Sequence, residues 1–501
     1  ESVLRRIEIV KKAVDARRNR PPRWSYVLRV QIDGEIPVPS GLQPGVSVHE
    51  ERPRQPDEQP AALRQPDSPV VVVGAGPAGL FAAYELAAAG APVLLCERGR
   101  PIEQRVGDVE RFWRQGMLDN QSNVLFGEGG AGTFSDGKLT SRTKSPLASR
   151  VRELLVSLGA PEDILTDAKP HIGTDLLRKV VVNFRRKLIE MGCRIRFEAA
   201  VSDLEVHHGR VRAVRVASGQ EIQTGAVILA IGQSADDTYA MLHDRGVAMT
   251  AKPFAMGLRA EHPQELINRI QYGQWFGHPK LPPADYFVSA SLPELNRSVY
   301  TFCMCPGGEV IGCAACPGAV ITNGMSSRDR QGGFANAAVV VNVRVEDFSP
   351  EGHPLAGLEF RRRWEQKAFE AGGGGYFAPA QNMMDFIAGT ISNRIGRTTF
   401  LPGVTSADLA EVVPDFVAEA LRLGLRRIDR KMPGFATSEA HLIGVETRTS
   451  SPLRLCRRPD GQSESVSGLY PCGEGAGYAG GIISSAIDGM TAARRVLATL
   501  S

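Results

Sequence analysis

Three glycines and one acid carry the clearest chemistry in this sequence. Gly74, Gly76 and Gly79 follow the apolar run Val70–Val73, and Glu97 stands 18 residues beyond the last of them. The first glycine permits a tight turn. The second lets backbone approach a diphosphate, and the third lets a helix press against the strand it leaves. Pro77 and Ala78 lead into that helix, whose free N–H groups and partial positive charge suit an anion. Ala83 and Leu86 fall on its packing face, and Val93 and Leu95 alternate along a second strand. Glu97 ends that strand where a carboxylate would meet ribose hydroxyls. Arg98 beside it would suit a ribose phosphate, but Glu97 would repel one. The unit reads as a dinucleotide site and does not by itself separate FAD from NAD.

The far end of the chain makes that choice. GLYPCGEGAGYAGGIISSAIDGM reads as strand, glycine turn and helix, and it resembles the unit with which many FAD enzymes close their site. Glu474 would meet the ribityl or pyrophosphate region. Gly473, Gly480, Gly481 and Ile482 would bring a helix N-terminus toward the flavin, where a positive dipole end stabilises the reduced ring. Between the two units, NVLFGEGGAGTFSDGKL supplies Gly127, Gly129, Gly130 and Gly132, a loop able to lie flat on a cofactor. A surface loop is its competing reading.

These segments, with AIGQSADDTY, PFAMGLRAEHPQELINRIQYG, YTFCMCPGG, EAGGGGYFAPAQ and GVETRTSSPLR, resemble a largely uncharacterised family of bacterial and plastid FAD-dependent dehydrogenases. The resemblance covers nearly the whole chain. It implies a glutathione-reductase-type FAD domain with an inserted substrate domain. It also implies that Val201 lies on the strand whose backbone meets adenine, and that Ala230 and Gly232 form a second nucleotide contact. Gln233 stands where the family suggests histidine.

No side chain declares itself the catalyst, since a flavin does the hard step and the protein supplies position and charge. Lys138 in SDGKL would stabilise developing negative charge, or cap a surface loop. Cys303 and Cys305 face one side of an extended strand, and Cys313 and Cys316 follow as a CxxC pair. Three readings stand for these thiols: a redox dithiol, a metal site of non-standard spacing, or small buried core residues. The last comes first, and no metal site is assigned. Glu261 with His262, His441, Arg448, Arg454 and Tyr376 are further candidates that the sequence does not rank.

The elements that position these groups follow from composition. With 501 residues, 43% hydrophobic and 23% charged, the chain suits two or three domains. A net charge of +4 is too mild to argue for nucleic acid. No transmembrane or signal segment is read, and eight cysteines are too sparse for a disulfide scaffold, so a cytoplasmic setting is expected. The fold class expected is α/β: a Rossmann-type FAD domain, glutathione-reductase-like, with an inserted β-rich α+β substrate domain. Residues 1–35 are expected as a small α+β module whose residues 2–18 form a basic amphipathic helix, and 36–69 as a linker. The FAD domain would run over 70–253 and 401–501, and the substrate domain over 254–400. The function expected is hydride or electron-pair transfer between flavin and a small organic substrate. Alternatives are a monooxygenase using NAD(P)H and oxygen, or a flavin-bearing redox sensor or partner-binding protein. No second dinucleotide unit is found, so NAD(P)H is left as a transient donor. Oligomeric state stays open.

Overall fold

The computed structural model describes residues 4–17, 20–32, 46–47, 68–141 and 143–500. Most of the expected 36–69 linker lies outside these.

The first sheet is built by the short apolar runs. Val70–Val73, Val93–Cys96, Arg194–Arg196, Val227–Leu229 and Leu469–Pro471 form five parallel strands. In spatial order Leu469–Pro471 is at one edge, then Val227–Leu229, then Val70–Val73 at the centre, then Val93–Cys96 and Arg194–Arg196. Such runs read as continuous rather than alternating because helices cover both faces of a parallel sheet. The helix Pro77–Ala88 packs against the C-terminal helix Ile482–Leu500. Gly489 makes that approach possible: a Cβ there would stand 2.0 Å from the Ala78 carbonyl oxygen. A three-stranded antiparallel sheet, 201–207, 210–216 and 221–223, lies beside this unit.

The second sheet has seven strands, in the order Ser289–Leu292, Arg297–Cys305, Phe334–Val343, Phe254–Pro263, His441–Glu446, Ala378–Asn382 and Val404–Ser406. Its pairings are antiparallel except the last, and the helix Asp415–Lys431 packs on it. Residues 404–406 and 441–446 therefore belong to this sheet. The expected boundary at 400–401 does not coincide with a change of sheet, because the chain rejoins the first sheet only at Leu469–Pro471.

The N-terminal module differs from expectation. Leu4–Asp15 is a strand, not a helix, and pairs antiparallel with Arg23–Ile32. The stripe of Ile7, Val10 and Val14 that suggests a helix coexists with Ile9, and together they make a β-branched segment. A partner strand satisfies its backbone where an isolated helix would have nothing to pack on. Ile7, Ile9 and Val10 remain exposed. Among the described residues, no helix is long and apolar enough to cross a membrane.

Candidate active site

One cleft gathers the two glycine-rich turns and the second sheet. Gly74, Gly76, Pro77, Ala78, Glu97, Arg98, Val201, Ala230 and Gly232 line it. Gly473, Glu474, Gly480, Gly481 and Ile482 of the C-terminal segment line it as well, with Gly473 set against Ala78, and so do Gly130, Gly132 and Lys138 of the middle loop. Phe302, Cys303, Thr322, Asn323 and Arg448 close the cleft from the second sheet's side.

The first turn is fixed by close backbone approach. At Gly79 a Cβ would stand 1.8 Å from the Gly74 carbonyl oxygen, and at Gly74, where φ is +101°, 2.4 Å from the Ala230 oxygen. Glu97 is 4% exposed, and its carboxylate accepts from the backbone N–H of Ala75 at 2.7 Å, Gly99 at 3.0 Å and Gly127 at 2.9 Å. It thus ties the first turn to the middle loop as well as facing the cleft. That loop has a second anchor. Arg105, fully buried on the helix Ile102–Gln115, donates to the carbonyls of Asn123, Val124, Glu128 and Gly130. Burial brings its pKa down to about 10. Arg98 turns toward Asp237 and Thr238, with its guanidinium over the Phe126 ring.

Beside the C-terminal turn, Gln233 donates to the Glu474 carboxylate at 3.0 Å and to the Arg448 carbonyl at 2.7 Å, and accepts from Arg361. Burial pushes Glu474 up to about 7. Arg448 is held by a bidentate pair with Glu365. Arg259 and Glu446 form a buried pair whose Glu446 lines the cleft, and Arg259 also donates to the Cys303 carbonyl. Lys138 lies 3.0 Å from Asp136 and donates to the Cys305 sulfur at 3.6 Å.

Comparisons with known proteins place the chain in a family. The family described as FAD-dependent protein, C-terminal domain-like, matches residues 253–449, and FAD dependent oxidoreductase matches 69–164. An uncharacterized protein of Clostridium beijerinckii is 42% identical over 496 residues, covering 99% of this chain and 92% of that protein. The chain belongs to the FAD-dependent oxidoreductases. Similar solved structures include quinol fumarate reductase FrdA of E. coli, at 12% identity and TM-score 0.39, covering 86% of this chain and 70% of that one. An L-amino acid deaminase from Proteus vulgaris is 14% identical at TM-score 0.35, covering 90% and 93%.

The flavoprotein's cleft fits its cofactor. Gly76 has no atom nearer than 3.8 Å to where a Cβ would stand, and Gly480 and Gly481 have none within 4 Å. These glycines leave room along the wall rather than filling a packed contact. Two expected cofactor residues do not reach the cleft. Gly79 serves strand–helix packing, and Gly129 docks its loop by donating to the Ala75 carbonyl. Cys305 lies behind the wall, while Lys138 and Cys303 line it.

The remaining candidates separate. Glu261 accepts from Thr399, whereas the His262 ring bonds the Phe435 carbonyl and packs on that ring, so they form no acid–base pair. Arg454 stacks on Tyr478, and Tyr376 packs between Phe112 and Phe369. Cys313 is buried in a cluster with Val109, Phe112 and Trp113 and also lines the cleft. Among the described residues, no group of three or more His, Cys, Asp or Glu is placed to hold a metal. Arg105 escaped sequence reading. Its spacing to Val109 and Phe112 puts it in an apolar stripe, where a cation signals a buried task.

Proposed function

We propose that FAD extends along this cleft from the Gly74–Gly79 turn to the Gly480–Ile482 turn, and that a small organic substrate sits against Phe302, Cys303, Thr322 and Asn323. The observation that carries this reading is that both turns, Phe302 and Cys303 of the second sheet, and Thr322 and Asn323 of the separate hairpin 309–325 line one continuous cleft. It is the arrangement expected of a glutathione-reductase-like FAD unit facing a substrate domain. Bound there, FAD would supply two-electron transfer.

The chain's own groups would do the rest. The helix N-terminus at Pro77 and the N–H groups around Gly76 would bind the diphosphate. Glu97, already committed to three N–H donors, would offer its remaining lone pairs to ribose. The helix beginning at Ile482 would place its positive end toward the ring's pyrimidine edge. Lys138, still 31% exposed and held charged by its neighbours, would orient an anionic or carbonyl group of the substrate.

An anaerobic absorbance titration with NADPH and then NADH tests the direction of electron flow. Prompt bleaching places the protein among NAD(P)H-driven reductases or monooxygenases, which oxygen consumption then separates. No bleaching by either directs the search to substrates that themselves deliver the electrons.

A further inference from the structure

The strand Arg297–Cys305 is irregular at one place. Its register against Phe334–Val343 shifts between Phe302 and Cys305, and Cys303 takes a left-handed backbone with φ of +47°. In a regular strand, residues two apart stand about 6.6–6.8 Å from each other, at the outer limit of disulfide geometry. Here the irregularity turns the Cys305 thiol back onto its neighbour: its S–H donates to the Cys303 carbonyl oxygen at 3.4 Å. Two glycines make the niche: a Cβ at Gly324 would stand 3.2 Å from the Cys305 sulfur, and one at Gly308 would stand 3.0 Å from the Cys305 Cβ. Lys138 donates to Cys305 from the cleft side, and Arg259 lies beneath. Cys303 itself lines the cleft. A buried pair used only for packing needs neither the left-handed residue nor a paired lysine.

We propose that Cys303 and Cys305 form a redox-active dithiol that exchanges an electron pair with the flavin. The proposal rests on the cofactor placement above. In the forward direction the two S–H bonds are lost and one S–S bond forms. Two electrons pass to oxidised FAD, one proton goes to the flavin, and the other leaves through the cleft. The reverse step, from reduced flavin, restores both thiols.

Lys138 and Arg259 favour a thiolate here. Cys303 is brought down to about 6, chiefly by the Cys305 thiol beside it, while Cys305 is pushed up. Attack therefore starts from Cys303, the sulfur that faces the cleft.

The test is an anaerobic dithionite titration of the air-oxidised holoprotein, with flavin content measured first. The wild-type chain should consume about four reducing equivalents per FAD, two for the flavin and two for the disulfide. Cys303→Ser and Cys305→Ser should consume about two, and Cys456→Ser, outside the cleft, should behave as wild type. Alkylation in denaturant, mapped by mass spectrometry on the wild-type chain, gives a second readout that needs no variant. Residues 303 and 305 should become labelled only after reduction. Consumption of about two equivalents by a flavin-loaded wild-type chain, with both thiols alkylated before reduction, overturns the dithiol alone. A wild-type chain that folds but holds no FAD overturns the cofactor placement and the dithiol with it.

Discussion

The Glu97 carboxylate and the Gly127 N–H meet at 2.9 Å, joining the end of the second strand to the loop over the cleft. The same carboxylate holds Ala75 and Gly99. Replacing it strands three donors, each costing about 1–3 kcal/mol where water cannot reach. Glu97→Ala should therefore lower both the melting temperature and the FAD retained per chain after gel filtration. Glu97→Gln keeps one acceptor oxygen and should fall between. Normal flavin content in Glu97→Ala would show that the carboxylate has no part in the site.

Arg105 should prove a positioning residue of comparable weight. Its guanidinium is the shared donor for four carbonyls between Asn123 and Gly130, and the Gly127 Cα lies so close that a Cβ there would meet the arginine at 2.4 Å. Arg105→Met keeps the stem and removes the donors. A loss on the order of 3 kcal/mol is expected in urea unfolding, from stranded carbonyls and the lost charged donor. The same variant should release FAD faster on dilution, because Gly130 belongs to the cleft.

The parts of this site that were legible in the sequence are the locally encoded ones. Val70–Val73, the three glycines and Glu97 form one contiguous βαβ unit, so spacing alone locates them. Cys303 facing the cleft was readable as a candidate, but its left-handed backbone is set by pairing with Phe334–Val343, a partner distant in sequence. Arg105 hides as one charge on an otherwise ordinary amphipathic helix. The strand Leu4–Asp15 is not legible because its stripe at helical spacing is overridden by a strand partner beginning at Arg23. The second sheet's extent was missed because His441–Glu446 inserts beside Phe254–Pro263 from almost two hundred residues away.

Glycine substitutions should separate close packing from simple turn geometry. Gly79→Ala puts a methyl 1.8 Å from the Gly74 carbonyl oxygen, where backbone faces backbone and neither can yield. It should give no flavin-loaded soluble chain. Gly90, unlike Gly79, has positive φ, +79°, and a Cβ there meets nothing within 4 Å. Gly90→Ala should cost only about 1–2 kcal/mol of backbone strain and keep full FAD content. Equal damage from both would mean that the turn does not depend on the third glycine's close contact.

Glu474 gives the cleft a pH signature in the apoprotein. Burial raises its pKa from an ordinary 4.5 to about 7, against the favourable effects of Lys252, Gln233 and Arg361. Its folded form therefore binds a proton more tightly than its unfolded form. The corresponding stability is fully present below about pH 4.5 and is lost as pH rises through about 7. Glu128 and Glu261, also raised to about 7 by burial, contribute in the same direction. Glu474→Gln removes one of these protons while keeping an acceptor for Gln233. Its unfolding free energy should fall less steeply than wild type between pH 5 and 7 (the window set by those shifts), and it should be the more stable of the two above pH 7. Urea unfolding of flavin-free protein across that range measures both. Parallel curves for the two chains would mean that Glu474 is already ionised at pH 5, and that the cleft is wetter than its burial implies.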